Sequence, residues 1–276
     1  MTSDARPGRG PQPRSLIVTV FGAYARETGG WLSVSAVVRL LGELDVDEAA
    51  VRSSVSRLKR RQLLVHERRS GVVGYALSPQ ARVVLAAGDR RIFNRTRAPL
   101  EDGWVLVAFS VPESKRSSRH LLRAELGSLG FGTVAPGVWI GPSRLAGDTR
   151  EAIERLGLSA YTEVFAADHL AFGDLRSRVA GWWDLDALQT QYRAYVEQWS
   201  PVLTSARRRK AVAPPDAFRD YVGTLTEWRR LPYLDPGLPV EVLPPRWQGV
   251  RAAEVFFCLR DLLEEPAHRH VRTLQG

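Results

Sequence analysis

Residues 14–28 carry apolar side chains at Leu16, Val20, Phe21 and Tyr24, the spacing of one helical face, and Gly29-Gly30 ends the run. Trp31-Leu32 is short and apolar. Ser33 can cap a second helix, which reaches Leu41 with a stripe of Val34, Val37, Val38 and Leu41 before Gly42 stops it. Either Asp45 or Asp47 can cap a third helix; Glu48 stands three residues after Asp45, as in a capping box. The third helix is expected to reach about Arg61. Val51, Val55 and Leu58 fall at i, i+4 and i+7 and must face the core. The opposite face carries Arg52, Ser53, Ser56, Lys59 and Arg60, with Arg57 at its flank. Two runs that read as strands follow, Leu63–Arg68 and Val72–Leu77, joined by a turn at Arg69-Ser70-Gly71. Helix, helix, helix, strand, strand is the order of a winged helix-turn-helix, with Arg68, Arg69 and Ser70 at the wing tip. Ser78-Pro79 then starts a helix through Val84 and Leu85.

The pattern changes after residue 100. Trp104–Val111 reads as a buried strand. Ser114–Leu129 reads as a helix with Leu121, Leu122, Leu126 and Leu129 on one face. Gly130–Ala135 and Val138–Ile140 make a hairpin around Pro136-Gly137. Asp148–Leu156 is a helix and Tyr161–Ala166 a last strand. Strand, helix, strand, strand, helix, strand is the ferredoxin-like order, a fold that hosts many functions and names none. From Gly181 onward the apolar spacing is helical, through Leu185, Leu188, Tyr192, Tyr195, Val196 and Trp199. Arg207–Lys210 reads as a solvated loop. Pro215 suits the first turn of a helix carrying Phe218, Val222, Leu225 and Trp228. The stretch from Trp228 to Pro239 is too rich in proline for a helix and reads as a fixed turn structure. A final helix is expected from Gly249 to Leu263, with Cys258 as a small apolar side chain.

Charge sharpens this picture. The chain of 276 residues has a net charge of +9. Residues 1–100 hold 17 Lys and Arg against 8 Asp and Glu, which leaves 22 against 22 in the rest. The whole excess sits in the segment with the basic third helix, the electrostatic footprint of a nucleic-acid-binding module beside neutral regions. On that helix, serines allow close approach to a groove, and arginines supply phosphate or bidentate guanine contacts. The single cysteine excludes an internal disulfide, and no segment approaches the roughly 20 apolar residues of a membrane helix. Residues 1–12, rich in Pro, Gly and Arg, read as a disordered lead-in and not as a signal peptide. A cytoplasmic protein without membrane contact is expected.

Catalytic chemistry has little to stand on. A metal-dependent nuclease built on the ferredoxin-like domain needs paired carboxylates near the end of its first strand; Glu113 stands there alone after Pro112. The histidines His66, His120, His169, His268 and His270 are scattered, and the last two read as solvated tail residues. No Gly-x-Ser-x-Gly or phosphate-loop motif is present. No catalytic residue, metal site or cofactor is expected. A protein-binding adaptor that uses the winged helix as a scaffold is the other alternative.

Three stretches carry a family resemblance: Val51-Arg52-Ser53-Ser54-Val55-Ser56-Arg57-Leu58; Trp104–Gly141 with its Gly-Val-Trp-Ile-Gly hairpin; and Trp228-Arg229-Arg230 through Asp235-Pro236-Gly237-Leu238-Pro239 to Trp247-Gln248-Gly249. With these the chain resembles the PaaX family, repressors of the bacterial phenylacetic-acid pathway. It departs from them at Arg60-Arg61-Gln62, where relatives more often have a Gly-containing turn. The resemblance implies a homodimer on a double-stranded, pseudo-palindromic operator, with repression relieved by an aryl- or acyl-CoA thioester. Trp228, Arg229, Arg230 and Trp247 have the chemistry for such an effector; alternatively the tryptophans pack the core and the arginines pair with Asp235 or solvent. The expected fold class is α+β. A winged helix-turn-helix spans residues 13–97, a ferredoxin-like central α/β domain 98–172, and a helical domain for dimerisation and effector binding 173–276.

Overall fold

Pro13 opens α1 (Pro13–Ala23), where its missing N–H removes no helical bond, and the helix buries Leu16, Ile17, Val20 and Phe21. This computed structural model describes residues 12–94, 96–170 and 172–275. Apart from Gln12, the expected disordered lead-in lies outside them. A 3-10 turn, Ala25–Thr28, replaces the last part of the expected first helix. The strand β1 (Trp31–Ser33) runs straight into α2 (Val34–Gly42), whose cap Ser33 accepts a hydrogen bond from the Ala36 amide at 3.1 Å. Of the two candidate caps for α3 (Glu48–Arg60), Asp47 is the one used: its carboxylate accepts from the Ala50 amide at 2.9 Å. Asp45 instead takes φ 59° in the preceding turn.

The strands β2 (Leu64–Arg69) and β3 (Val72–Leu77) form a hairpin with Arg69 opposite Val72. Ser70 and Gly71 both have positive φ, the pattern of a type I′ turn, whose twist suits the strands. β1 adds to the free side of β3, giving the order β1-β3-β2. Gly74 of β3 lies under the Trp31 ring; a Cβ there would stand 2.4 Å from it. α4 (Pro79–Phe93) continues well beyond Leu85.

The middle of the chain supplies β4 (Trp104–Phe109), α5 (Arg116–Leu129), β5 (Gly132–Ala135), β6 (Val138–Pro142), α6 (Ala146–Arg155) and β7 (Thr162–Ala167). Their sheet has the order β5-β6-β4-β7 with every pair antiparallel. Both helices lie over a core that includes Val105, Val107, Leu122, Leu126, Trp139 and Ile153.

The remaining helices are α7 (Leu175–Trp182), α8 (Leu185–Arg208), α9 (Pro214–Trp228), α10 (Leu231–Leu234) and α11 (Gln248–Gln275). Three expectations are corrected here. α8 runs through Pro201 and takes Arg207 and Arg208 into its last turn instead of a loop. The proline-rich stretch does hold a short helix, α10, with Pro232 at its first turn, where proline is tolerated. α11 passes Leu263 and Pro266 and reaches Gln275, because Leu263, Ala267 and Val271 remain fully buried and outweigh the one lost hydrogen bond. His268 and His270 are therefore not solvated. The His268 ring lies 4.7 Å from that of Tyr24, and His270 Nε2 stands 2.7 Å from the Glu43 carboxylate.

The chain divides into two compact units. One comprises residues 1–92, 195–229 and 251–276; the other comprises 93–194 and 230–250. Among the described residues no helix is long and apolar enough to cross a membrane.

Candidate nucleic-acid interface

The solvent face of α3 follows from its core face. Val51, Ser54, Val55 and Leu58 are buried, which leaves Arg52, Ser53, Ser56, Arg57, Lys59 and Arg60 exposed. Arg52 is not free on this face: its Nε donates to Glu48 Oε1 at 2.9 Å, and Nη2 pairs with the same oxygen. Such an exposed i,i+4 pair is worth about 0.3–0.5 kcal/mol, so Glu48 holds Arg52 only weakly. Arg57 lies along the helix, donating from Nη1 to Ser53 Oγ at 2.9 Å and from Nη2 to Ser54 Oγ at 3.0 Å. The second bond satisfies a hydroxyl on a residue with no exposed surface. Lys59 Nζ sits 5.9 Å from the centroid of the Tyr75 ring on β3. Arg60 has no ion pair among the described residues.

At the hairpin tip the three sequence candidates separate. Arg68 and Ser70 are exposed. Arg69 is half-buried and turned back onto its own unit. Its Nε donates to Glu67 Oε1 at 2.6 Å, Nη2 donates to the Gly29 carbonyl at 3.3 Å, and the guanidinium lies 5.6 Å from the Trp31 ring. Its charge is thus partly balanced by Glu67.

The four candidate effector residues fall in different places. Trp228 and Arg229 belong to one unit, Arg230 and Trp247 to the other. Trp228 stacks on Phe256 with ring centroids 4.9 Å apart, and its indole N–H donates to the Ile92 carbonyl at 3.2 Å. Arg229 ties the end of α9 to α1, donating to Thr19 Oγ1 at 3.1 Å and to Ser15 Oγ at 2.8 Å. Arg230 is exposed. Trp247 is buried against Tyr192, with centroids 5.7 Å apart. Asp235, the partner considered for these arginines, is paired with Arg97 at 3.0 Å instead. Glu113, the candidate nuclease carboxylate, is paired with Arg119, and the described residues hold no cluster of metal-ligating side chains.

Comparison with known proteins gives three family matches along the chain. The PaaX-like protein family matches residues 12–81, the PaaX protein central Cas2-like domain 97–179, and the PaaX-like protein C-terminal domain 183–273. The chain belongs to the PaaX family. Among PaaX relatives, the protein named Transcriptional repressor PaaX from Escherichia coli (strain K12) is 26% identical over 245 residues, covering 87% of this chain and 77% of the relative. A solved structure, Uncharacterized protein Rv0674 from Mycobacterium tuberculosis, shares the fold with a TM-score of 0.64 at 20% identity, covering 96% of this chain and 99% of that one.

In this PaaX chain two groups escaped the sequence reading. Glu48 stands in the sequence reading only as the capping-box residue after Asp45, although its i,i+4 spacing to Arg52 is the available signal for the pair. The Asp235 cluster carried no local signal. Only 2% exposed, Asp235 accepts from Arg97, from the Tyr192 hydroxyl at 2.8 Å and from the Gly237 amide at 2.7 Å. The Asp-Pro-Gly segment is thus a fixed structural knot.

Proposed function

We propose that this protein is a DNA-binding transcriptional repressor of the PaaX type, acting as a homodimer on a double-stranded operator. In this reading residues 13–97 form a winged helix-turn-helix, with α3 as the helix that enters the major groove and the β2–β3 hairpin as the wing. Residues 98–172 form a ferredoxin-like domain, and 173–276 a helical domain for dimerisation and effector binding. The observation that carries the proposal is the outer face of α3. Four cations and two exposed serines stand there, and the one acid in the helix, Glu48, is already paired. The family relation adds the repressor role, through the E. coli relative named as a transcriptional repressor.

Arg52 and Arg57 are the proposed base-edge readers, Ser53 and Ser56 allow close approach, and Lys59, Arg60, Arg68, Arg69 and Ser70 bind the backbone. Release by an acyl-CoA-type thioester rests on the family resemblance alone. Of its four candidate residues, Arg230 keeps an exposed cation for the ligand's phosphates, while Trp228 and Arg229 serve packing. Effector binding would shift the population toward a form whose two α3 helices no longer match adjacent grooves. A gel-shift assay of the chain's own promoter fragment at two salt concentrations tests the proposal. Retardation at low salt that weakens at high salt is expected, and none at low salt would overturn it.

A further inference from the structure

α8 passes Pro201 on its solvent side, and a surface depression of about 700 Å³ lies along it there. Its lining comes entirely from α8 and the residue that follows: Glu197, Ser200, Pro201, Thr204, Ser205 and Arg208 are the polar and central members, flanked by Val196 and Arg209. A pocket for a small molecule encloses most of its ligand with walls from several elements. This depression has one wall. It fits a convex, elongated occupant, as another helix would be.

We propose that the outer face of α8 packs against the same face of a second copy of this chain, with the two helices antiparallel about a twofold axis. The inference rests on the homodimer reading above and names its interface. The face is self-complementary. With the axis midway between Val202 and Leu203, position 197 meets 208, 200 meets 205, 201 meets 204 and 196 meets 209. Every lining residue thus finds its mate within the same set, as an isologous contact requires.

The chemistry of the pairs agrees. Glu197 meets Arg208 of the partner subunit, and the twofold repeats that ion pair at the other end. The two side chains sit three turns apart on one side of α8, and neither has an ion pair among the described residues. The centre holds only Ser200, Pro201, Thr204 and Ser205, small enough for close approach of the backbones. Ser200 Oγ is buried without a hydrogen-bond partner, a state that native structures seldom leave unresolved, and a change of rotamer turns it toward Ser205 of the partner subunit. A single helix face is smaller than the roughly 800 Å² per partner of a standard interface. A second depression of about 310 Å³, lined by Val202, Val212 and Asp220 and sharing Pro201, Ser205 and Arg209 with the first, supplies the adjoining surface.

Sedimentation of the full chain over a concentration series tests this, using Glu197→Arg, Arg208→Glu and the double variant. The wild type is expected to dimerise. Each single variant sets like charges together at both ends and raises the dimer dissociation constant at least about tenfold. The double variant recovers the dimer. An equimolar mixture of the two single variants forms a mixed dimer, which no general loss of folding could produce. Ser205→Trp, without any change of charge, is expected to weaken the dimer as well. A wild-type dimer indifferent to Glu197→Arg, Arg208→Glu and Ser205→Trp would overturn the interface and leave the homodimer reading standing. A wild-type monomer throughout the series would overturn both.

Discussion

At the scale of single residues, Asp235 shows how a specific sequence motif can be structural. Its carboxylate is out of water and holds three donors, one of them the Arg97 guanidinium. Removing one partner of a buried ion pair leaves the other uncompensated, so Asp235→Ala is expected to lower the unfolding free energy by about 3–5 kcal/mol in urea titrations. The cations of the candidate interface should divide into two kinds. Arg52→Ala should cost about 1–3 kcal/mol and relax operator preference at one base pair, as loss of a bidentate guanine contact does. Arg60→Ala and Arg68→Ala should weaken binding evenly across sequences and reduce the salt slope by about one each. Competition gel shifts with scrambled DNA separate the two patterns. Which α3 side chains face out was legible from the i, i+4, i+7 spacing of Val51, Val55 and Leu58. Where Arg69 and Asp235 point was not. Arg69 leans on Trp31 and Gly29 from an earlier strand and turn, and the arginine on Asp235 lies 138 positions away.

At the scale of elements, helix starts were legible where a side-chain cap stood next to an apolar stripe. Ser33 fits that rule. For α3 the sequence offered two aspartates and the fold uses Asp47, so Asp47→Ala should cost about 1 kcal/mol in thermal melts. Helix ends were less legible: the expected end at Leu263 falls short, and α11 runs on through Pro266 to Gln275. An interior proline costs a helix about 3 kcal/mol or more, but burial of Leu263, Ala267 and Val271 on the same stripe exceeds that. On α9, burial first and then Asp216 raise the Asp220 carboxyl above its ordinary value of 3.8, with Arg209 and Arg219 opposing. Between 3.8 and the raised value, the folded chain holds a proton that the unfolded chain has released. Stability therefore falls as pH rises through that window and stays lower above it. Asp220→Asn should raise the melting temperature at neutral pH and leave it unchanged below the ordinary aspartate range.

At the scale of the molecule, the charge asymmetry was fully legible, since it requires only counting. The grouping of residues 195–229 and 251–276 with 1–92 was not, because periodicity reports that a helix has an apolar face but not what the face covers. That grouping makes a prediction. Truncation before residue 265 removes the His270–Glu43 pair, the His268 ring on Tyr24 and the bond from Arg39 to the Leu274 carbonyl. It should lower the melting temperature and weaken operator binding, measured on the same preparation. The arrangement also constrains how the chain is made. At roughly 5–20 residues per second, α3 leaves the ribosome on the order of ten seconds or more before His268 and His270 are synthesised. Throughout that interval Tyr24 and its neighbours lack the residues that close over them. A nascent chain interrupted in mid-synthesis therefore carries the basic helix without its finished support, and the proposed operator binding should be weaker in such a chain than in one translated through to the end of α11.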